Sequence, residues 1–242
     1  MAYWGYYDFI VDYIKTREAS NPLSVIEIGV DKGQTFIPLL SFMSKHCEKF
    51  ELVGVDVLRR DELGVQHEQM EKDLSEDQRV IFYEESSLVV LPKFIDFLKE
   101  NAPEQQGLFD IMLIDGDHNY YTVKKEMECV PELLKPGGFV VFDDYSNRWA
   151  TEDEYFADFK EYENNKFATQ REGTEHPEKK GTKPAIDEFL ENNPEWTMTD
   201  AVCPGREPIL LYREAELNFY NPTTGKAVDI NETETEKIEE EN

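Results

Sequence analysis

The sequence contains few cysteines and no long hydrophobic run. Three cysteines occur among 242 residues, Cys47, Cys129 and Cys203, and none is part of a Cys-x-x-Cys pair. This spacing supplies neither a disulfide framework nor a zinc site, and it is typical of proteins in a reducing compartment. No apolar run approaches the ~18 residues that a transmembrane helix needs. The N-terminal residues also lack the features of a signal peptide, so we expect a cytoplasmic protein.

Basic residues are scarce as well. The chain has 25 Lys and Arg against 52 Asp and Glu, which gives a formal net charge of -27. Such a surface repels the phosphate backbone of nucleic acids and anionic membranes, so we expect neither as a partner. Residues 229–242 are acidic without apolar periodicity. They predict a disordered tail, with a contact arm as the alternative.

The chain also lacks the Gly-x-Gly-x-x-Gly fingerprint of dinucleotide-binding proteins, which counts against an NAD oxidoreductase. Residues 25–35 instead predict a strand, a loop with glycines at Gly29 and Gly33, and a helix. Gly29 allows a sharp turn and close approach of a ligand to the backbone. The N–H groups at the start of the helix, near Gln34 and Thr35, favour a carboxylate or a phosphate.

Strand and helix patterns alternate along the first 145 residues. We predict helices over 3–15, 34–45, 91–101 and 120–134, and strands over 24–28, 50–57, 80–83, 109–114 and 139–143. Pro-Gly-Gly at 136–138 is predicted to stop the helix that precedes it. Strands rich in Val, Ile and Leu that alternate with helices favour an α/β fold, in which helices cover both faces of a parallel sheet.

The remainder of the chain differs in composition. Residues 146–184 are charged and are predicted to form an inserted helical lid with a mobile loop, followed by a helix over 185–192. Two closing strands, 196–202 and 208–213, are predicted to pair antiparallel. We therefore expect one domain over 1–215 and an acidic tail over 216–242, disordered towards its end.

Acidic residues follow the second and third predicted strands. Asp56 ends the second strand, where an acid is the expected acceptor for the two ribose hydroxyls of a nucleoside. Glu-Glu-Ser-Ser at 84–87 ends the third strand, and Glu85 and Ser86 are predicted to lie at the adenine edge. A plain loop without a binding role is the alternative for these two residues.

The most informative motifs follow the fourth and fifth strands. Residues 114–120 read Ile-Asp-Gly-Asp-His-Asn-Tyr, and a later strand ends in Asp143 and Asp144. If these strands are neighbours, Asp115, His118, Asp143 and Asp144 meet at one sheet edge, where their like charges repel. A divalent cation, or a substrate proton to be removed, would explain them. The alternatives are a cap after a buried strand for Asp143 and Asp144, and a helix-start residue for His118.

These residues resemble the class I S-adenosylmethionine-dependent methyltransferases. The likeness is to O-methyltransferases related to the macrocin and mycinamicin sugar methyltransferases and to cephalosporin-hydroxylase-like proteins. It spans about residues 24–212 and rests on residues 27–33, Asp56, 114–120 and 134–145. The Asp-Gly-Asp-His-Asn-Tyr block with the later Asp-Asp pair is its most specific part.

The resemblance implies a Rossmann-like, seven-stranded, mostly parallel sheet with an antiparallel last strand. It also implies that S-adenosylmethionine lies across Gly29 and Gly33, that an acidic site holds a metal ion, and that His118 is the general base. The implied cofactor-binding residues are Glu27, Gly29, Gly33, Asp56, Glu85, Ser86 and Asp115, and the implied metal ligands are Asp115, Asp143 and Asp144. Hard oxygen ligands favour Mg²⁺, with Mn²⁺ as a substitute.

Two parts of the chain depart from the family pattern. Glu-Glu-Ser-Ser at 84–87 stands where many relatives have Gly-Asp-Ser, and the segment 146–184 matches no known pattern. Trp149, Tyr155 and Phe156 in that segment are predicted to contact the acceptor. The aromatic N-terminal helix is predicted to pack on the sheet or on a second copy of the chain, with a cap over the acceptor as the alternative.

The leading hypothesis is a magnesium-dependent O-methyltransferase that acts on a hydroxylated small molecule such as a sugar or glycoside. One alternative is a metal-independent methyltransferase with His118 as base, its pKa near 7 suiting proton removal. Another is a non-catalytic binding protein that retains the fold.

Overall fold

The computed structural model describes residues 5–199, 209–213, 219–221 and 226–228. The helices are α1 (Gly5–Thr16), α2 (Phe36–His46), α3 (Asp61–Glu71), α4 (Ser87–Asn101), α5 (Tyr120–Leu133) and α6 (Thr182–Asn192). The strands are β1 (Leu23–Ile28), β2 (Phe50–Asp56), β3 (Gln78–Glu84), β4 (Phe109–Ile114), β5 (Leu134–Phe142), β6 (Trp196–Thr199), β7 (Ile209–Arg213), β8 (Phe219–Asn221) and β9 (Lys226–Val228). Within these ranges, every helix is too short or too polar to cross a membrane.

Seven strands form one sheet in the order β3-β2-β1-β4-β5-β7-β6, and β8 pairs with β9 separately. Strands β1 to β5 are parallel, whereas β7 runs antiparallel to both of its neighbours, β5 and β6. The predicted fold class and the antiparallel pairing of the closing strands are confirmed. The first strand is buried almost throughout, as expected for a parallel sheet covered on both faces.

The two faces of the sheet belong to separate hydrophobic cores. Ile26 and Ile28 pack in one core with residues of α4, α5 and α6, whereas Val25 packs in the other with residues of α1 and α2. Alternation along β1 follows from the period of two in an extended strand. In the second core, the rings of Phe9 and Tyr13 meet Phe139 edge-on, at centroid distances of 5.3 and 4.9 Å. The aromatic helix α1 therefore packs on the sheet.

The parallel strands bring their carboxyl ends to one edge, and backbone hydrogen bonds extend the pairing past each strand. The Gly29 N–H donates to the Val55 carbonyl at 2.9 Å, and the Asp115 N–H donates to the Ile28 carbonyl at 2.9 Å. The Asp143 N–H donates to the Ile114 carbonyl at 3.1 Å. These bonds hold Gly29, Asp115 and Asp143 in register with one another.

The predicted helix over 120–134 is confirmed to within one residue, but the following strand begins before Pro-Gly-Gly and not after it. Helix α5 ends at Leu133, and β5 begins at once because Leu134 already pairs with Phe109 of β4. The next pair joins Ile111 to Phe139, so residues 135–138 bulge out of the strand. Gly137 has a φ of +77° within this bulge, a backbone conformation that glycine adopts without strain.

Two further predictions need correction. The sequence predicts no helix at α3 because its pattern is weak: Leu63 and His67 are buried, but Val65 is 56% exposed, and Gly64 lowers the helix propensity. The predicted helical lid is instead an irregular segment with three single 3₁₀ turns (Arg148–Ala150, Phe156–Asp158 and Lys160–Tyr162). Side chains there bond to nearby backbone and compete with helix formation, as Asn147 Oδ1 does when it accepts from the Trp149 N–H at 2.7 Å.

Several predictions lie outside the described residues. These are the tail from residue 229 onward, the first aromatic residues Tyr3 and Trp4, and Cys203. The domain limits and the pairing of two copies through α1 stay predictions.

Gly29 and Gly137 offer a matched test of the contact between the loops that follow β1 and β4. We expect Gly29→Ala to lower the free energy of unfolding by at least about 3 kcal/mol, because strain at positive φ adds to a clash. A Cβ at Gly29, where φ is +84°, would lie 1.8 Å from the Asp115 carbonyl oxygen.

Gly137→Ala is the control, since φ is +77° there but nothing lies within 4 Å of the added carbon. We expect Gly137→Ala to lower the free energy of unfolding by only about 1–2 kcal/mol. Urea denaturation of both variants measures the difference. Equal losses of unfolding free energy in the two variants would show that the contact between Gly29 and Asp115 does not contribute to stability.

Candidate functional site

The site lies at the carboxyl edge of the sheet, where the loops after β1 and β4 touch. Because Gly29 has no side chain, its Cα can lie directly against the backbone of Asp115 and Gly116. This contact brings two predicted features side by side. One is a cleft near the glycine loop, and the other is an acidic cluster that begins at Asp115.

The cleft is open to solvent, and water-sized molecules have about 30 Å³ available within it. It lies between the ends of β1 and β2, the start of α4, the loop after β4 and part of the segment 146–184. Its lining residues are Ile28, Gly29, Val55, Asp56, Val57, Glu85, Ser86, Ser87, Gly116, Asp117, Thr122, Glu126, Phe156, Ala168 and Thr169. Four of the predicted cofactor-binding residues line it, namely Gly29, Asp56, Glu85 and Ser86.

Asp56 binds the backbone of the loops on either side of the cleft. Its Oδ2 accepts from the Asp31 N–H at 2.8 Å, and its Oδ1 accepts from the Leu58 N–H at 2.9 Å. Burial raises the pKa of Asp56, and these backbone hydrogen bonds offset part of that rise. The carboxylate therefore organises the glycine loop while it lines the cleft.

The other three predicted cofactor residues, Glu27, Gly33 and Asp115, do not line the cleft. Glu27 is 4% exposed within β1, and burial together with the charges of Asp115 and Asp56 raises its pKa well above the usual range. Gly33 has a φ of +75°, and a Cβ there would lie 2.6 Å from Leu63 Cδ1. The close packing of α3 against the loop therefore accounts for Gly33.

The structure brings together Asp115, His118 and Asp144, each with a possible ligand atom within 4.8 Å of the other two. The Nε2 of His118 lies 2.7 Å from Asp144 Oδ2 and 3.6 Å from Asp115 Oδ1. On the other side of the ring, Nδ1 lies 3.4 Å from Glu154 Oε2. The imidazole is thus surrounded by three carboxylates.

These carboxylates determine the charge of His118. Burial alone would lower its pKa, but the hydrogen bonds and charges of Asp115, Asp144 and Glu154 outweigh burial and raise it to about 12. The ring is therefore a cation at neutral pH in this arrangement, and the predicted value near 7 is wrong for it. The positive charge offsets part of the repulsion among the acids.

Asp143 and Asp144 sit at a tight turn after β5. Asp144 adopts a φ of +61°, and its carbonyl oxygen accepts from Thr182 Oγ1 at 2.6 Å. Asn147 donates to the Asp144 carboxylate. Asp143 is 7% exposed, and burial together with the charges of Asp115 and Asp144 raises its pKa well above the usual range.

The donor set fits a divalent cation. Asp115 and Asp144 offer the hard carboxylate oxygens that Mg²⁺ prefers, and His118 lies with them. The predicted ligand Asp143 directly precedes Asp144 but is not part of this group. The raised pKa of Asp143 reflects negative charge crowded into a buried space, and a bound cation is the usual means of relieving such crowding. His118 supplies part of the same relief in the described arrangement.

The segment 146–184 is attached to the acidic cluster at one end. The Glu154 N–H donates to the His118 carbonyl at 2.9 Å, and the Tyr120 N–H donates to Asp153 Oδ1 at 3.0 Å. The Phe156 N–H donates to Asp117 Oδ1 at 3.0 Å, and burial raises the pKa of Asp117 to about 6. Asp117 therefore connects the cleft to this segment.

A second attachment lies across the cleft at Arg60, just before α3. Its guanidinium lies 3.1 Å from Glu161 Oε2, donates to the Tyr162 hydroxyl at 3.1 Å and donates to Asp31 Oδ1 at 3.1 Å. Asn165 Nδ2 also donates to the Val57 carbonyl at 2.7 Å. With attachments on both sides, the segment spans the cleft.

The predicted acceptor residues occupy different positions. Trp149 stacks on the His118 ring at a centroid distance of 5.7 Å, and Phe156 meets the same ring edge-on at 5.8 Å. Tyr155 is 1% exposed, and its hydroxyl bonds to Thr174. The structure thus corrects the expectation for Tyr155, which packs inside the segment and is not open to an acceptor.

Three residues of this site were missed from the sequence: Arg60, Glu154 and the buried Glu126 of α5. Arg60 and Glu154 act through contacts with residues far away in the chain. No local sequence pattern therefore predicts that they belong to the site. Glu126 carries a weak signal, because an acid at that position interrupts the buried face of α5 between Val123 and Val130.

Residues 26–145 match the sequence model of a family described as a methyltransferase domain. A curated relative, an uncharacterized protein of Acanthamoeba polyphaga mimivirus, is 28% identical over 145 residues. That match covers 58% of this chain and 60% of the relative, so the chain spans well under two thirds of the relative's length.

Solved structures share the fold. CalS11, a TDP-rhamnose 3'-O-methyltransferase of calicheamicin biosynthesis, matches with a TM-score of 0.55 and 18% identity, covering 86% of this chain and 80% of CalS11. The O-methyltransferase TomG from Streptomyces achromogenes, solved with S-adenosylmethionine, matches with a TM-score of 0.51 and 14% identity, covering 85% and 78% of the two chains. At these identities the likeness establishes a common architecture.

The attachment at Arg60 predicts that Arg60→Ala loosens one end of the segment only. We expect backbone amide exchange at Tyr162 and Asn165 to accelerate about three- to tenfold, because several part-exposed polar contacts are lost. Exchange at Glu154 and Phe156 should stay within about twofold, since their amides bond to the loop after β4.

Hydrogen exchange with mass spectrometry measures both ends in one experiment. Lys99→Ala is the control, since it removes an exposed ion pair with Glu132 of 2.8 Å that lies outside the segment. Equal acceleration at both ends would show that the segment opens as one unit and that Arg60 is not a separate attachment.

Proposed function

We propose that this chain, which belongs to the class I S-adenosylmethionine-dependent methyltransferases, methylates a hydroxyl oxygen of a small-molecule acceptor in a magnesium-dependent reaction. The observation that carries the proposal is the direct contact of Gly29 with Asp115, which sets the cofactor cleft beside the Asp115–His118–Asp144 cluster. A methyl donor in the cleft and a hydroxyl at the cluster would be neighbours.

The cleft supports a specific placement of the cofactor. Its ribose would lie at Asp56, which ends β2, and its adenine beyond the start of α4, near Glu85 and Ser86. The amino-acid portion and the methyl group would then extend past Gly29 towards Asp115. This order follows the strand order β2-β1-β4 along the sheet edge.

Asp115, Asp143 and Asp144 would hold the metal ion. When bound there, Mg²⁺, or Mn²⁺ in its place, orients an acceptor hydroxyl and lowers its pKa. The chain's own contribution is to hold the backbones of Asp115 and Asp143 in register and to place the Asp144 carboxylate with Asp115 and His118.

His118 would accept the hydroxyl proton at Nε2. With S-adenosylmethionine bound, the acceptor oxygen would form a bond to the methyl carbon as the bond from that carbon to sulfur breaks, and the products would be a neutral thioether and a protonated imidazole. His118 can act in this way only when another cation balances the surrounding carboxylates, because its own proton balances them in the described arrangement. Glu154 and Trp149 hold the ring in place from the other side.

A sugar or glycoside is the acceptor class that the surroundings favour. Trp149 and Phe156 place aromatic surface beside His118, and the Arg148 guanidinium lies 3.7 Å from the centroid of the Trp149 ring. An aromatic wall next to polar groups suits a ring that carries several hydroxyls. CalS11, which shares the fold, is a TDP-rhamnose methyltransferase.

A second candidate is metal-independent methyl transfer with His118 as the base. The 3.4 Å approach of Nδ1 to Glu154 Oε2 favours it, since a carboxylate at that nitrogen can stabilise the imidazolium that forms when Nε2 takes the proton. The two candidates differ in whether Asp143 and Asp144 bind a metal ion.

Calorimetry distinguishes them. We expect adenosylhomocysteine to bind the protein, and Mg²⁺ to bind in a second titration with a measurable heat. Asp144→Asn should weaken Mg²⁺ binding at least about tenfold because it removes one anionic ligand. Asp77→Asn, an exposed acid 3.8 Å from Lys49, is the control and should leave it unchanged.

Methyl transfer in chelator gives the complementary measurement. If turnover with a glycoside acceptor continues undiminished in EDTA and in Asp144→Asn, the metal-dependent proposal is wrong and the metal-independent candidate stands. Absence of adenosylhomocysteine binding by the wild-type protein would contradict both.

The role of His118 predicts a separation of binding from turnover. We expect His118→Gln to lower kcat about 10²- to 10⁴-fold, the usual contribution of a general base, while its affinity for adenosylhomocysteine stays within about threefold. Production of adenosylhomocysteine in the presence of Mg²⁺ measures the rate, and calorimetry measures the affinity. His46→Gln, an exposed histidine on α2, is the control. An unchanged kcat would remove His118 from the reaction.

A further inference from the structure

Glu126 is a buried acid that the proposed chemistry leaves without a role. It lies on α5, is 1% exposed, and lines the cofactor cleft together with Thr122, one turn earlier on the same helix. It is separate from the acidic cluster at Asp115 and Asp144. A carboxyl group this deep in an α/β core requires an explanation.

One oxygen of Glu126 is bonded and the other is not. Oε1 accepts from the Ser87 hydroxyl at 2.6 Å, at the first residue of α4. Oε2 is buried without a hydrogen-bond partner among the described residues. Buried polar atoms in native proteins are rarely left without a partner, so an orphaned oxygen that lines a cleft points to a ligand atom.

Glu126 contributes to the wall of the cleft although almost none of its surface is exposed. Gly116 lies beside it, and a Cβ there would be 3.7 Å from Glu126 Oε1 and 3.3 Å from Ile28 Cγ2. Val57 and Phe156 add apolar surface to the same cleft. The cleft thus combines apolar surface with several polar groups, and Glu126 is a nearly fully buried one among them. Such a mixture is usual for sites that bind small molecules.

The protonation state of Glu126 also favours a ligand with both a hydrogen-bond donor and an acceptor. Burial raises its pKa to about 8, although the Ser87 hydrogen bond acts in the opposite direction. At neutral pH the group is therefore mainly a carboxylic acid, which offers both a donor and an acceptor. The amino-bearing edge of adenine offers the complement, an N–H donor next to a ring nitrogen acceptor.

We propose that Glu126 binds the amino-bearing edge of the cofactor's adenine, accepting from the 6-amino group and donating to the adjacent ring nitrogen, with Ser87 orienting the carboxyl group. This inference rests on the proposed function, because it requires S-adenosylmethionine in the cleft. Glu85, which was expected at this edge, is half-buried, and its Oε1 accepts from the Ser86 N–H at 3.0 Å. Glu126 is the deeper of the two and has the orphaned oxygen.

The test compares two ligands by calorimetry at neutral pH. One is adenosylhomocysteine, and the other is its analogue with purine in place of adenine, which lacks only the 6-amino group. We expect the wild-type protein to bind the analogue about tenfold more weakly, because a buried acceptor loses its donor. The ratio of the two dissociation constants is the measured quantity.

Variants connect that ratio to Glu126. Glu126→Leu removes both oxygens, so the ratio should fall to about one, whereas Glu126→Gln keeps an acceptor oxygen and should retain most of it. Glu128→Leu is the matched control, since Glu128 lies two residues on, is exposed and pairs with Lys125 at 2.7 Å. Its ratio should equal that of the wild-type protein.

The outcomes decide between recognition and a structural role. A folded Glu126→Leu variant with the wild-type ratio would overturn the inference while leaving cofactor binding intact. If that variant does not fold, Glu126→Asp, which withdraws the carboxyl group by one methylene, should lower the ratio, and an unchanged ratio would overturn the inference. A wild-type ratio near one also overturns it, and failure of adenosylhomocysteine to bind would contradict the proposed function itself.

Discussion

The crowding of carboxyl groups at one edge of a parallel sheet is the constraint on which this site depends. Glu27, Asp56, Asp115, Glu126 and Asp143 all lie at or near that edge, each on or directly after a strand or on an adjoining helix. The chain relieves the repulsion in three ways. Backbone N–H groups bind Asp56, the His118 cation lies among the carboxylates, and burial favours protonation of Glu126. A bound cation would add a fourth.

The segment 146–184 connects the two halves of this edge. Its end at Glu154 contacts His118, where the acceptor would lie, and its middle contacts Arg60, beside the cofactor cleft. Phe156 touches both, since it packs against the His118 ring and lines the cleft. One polypeptide segment thus contacts both the cleft and the acidic cluster.

The fold was largely predictable because its signals are local. Each of strands β1 to β5 is an apolar run, and the strand–helix alternation determines a parallel sheet. The predictions failed where a local pattern was weak or was overridden. Helix α3 has few buried residues, and at Leu134 pairing with Phe109 begins before the Pro-Gly-Gly sequence that was expected to separate helix from strand. In the segment 146–184, side-chain bonds to the backbone replaced the expected helix.

Only those residues of the site that lie at strand ends were predictable from the sequence. Asp56, Asp115 and Asp144 follow strands, so their meeting at one edge comes from topology alone. The charge of His118 does not, because it depends on how closely Asp115, Asp144 and Glu154 surround the ring. Glu154 is 36 residues away and is brought in by an irregular segment. The same holds for Glu126, which looks like an isolated acid on a helix until Ser87 and the cleft are placed beside it. The residue types at strand ends thus indicate where the site lies. The protonation states of those residues depend on contacts that form only when the chain has folded.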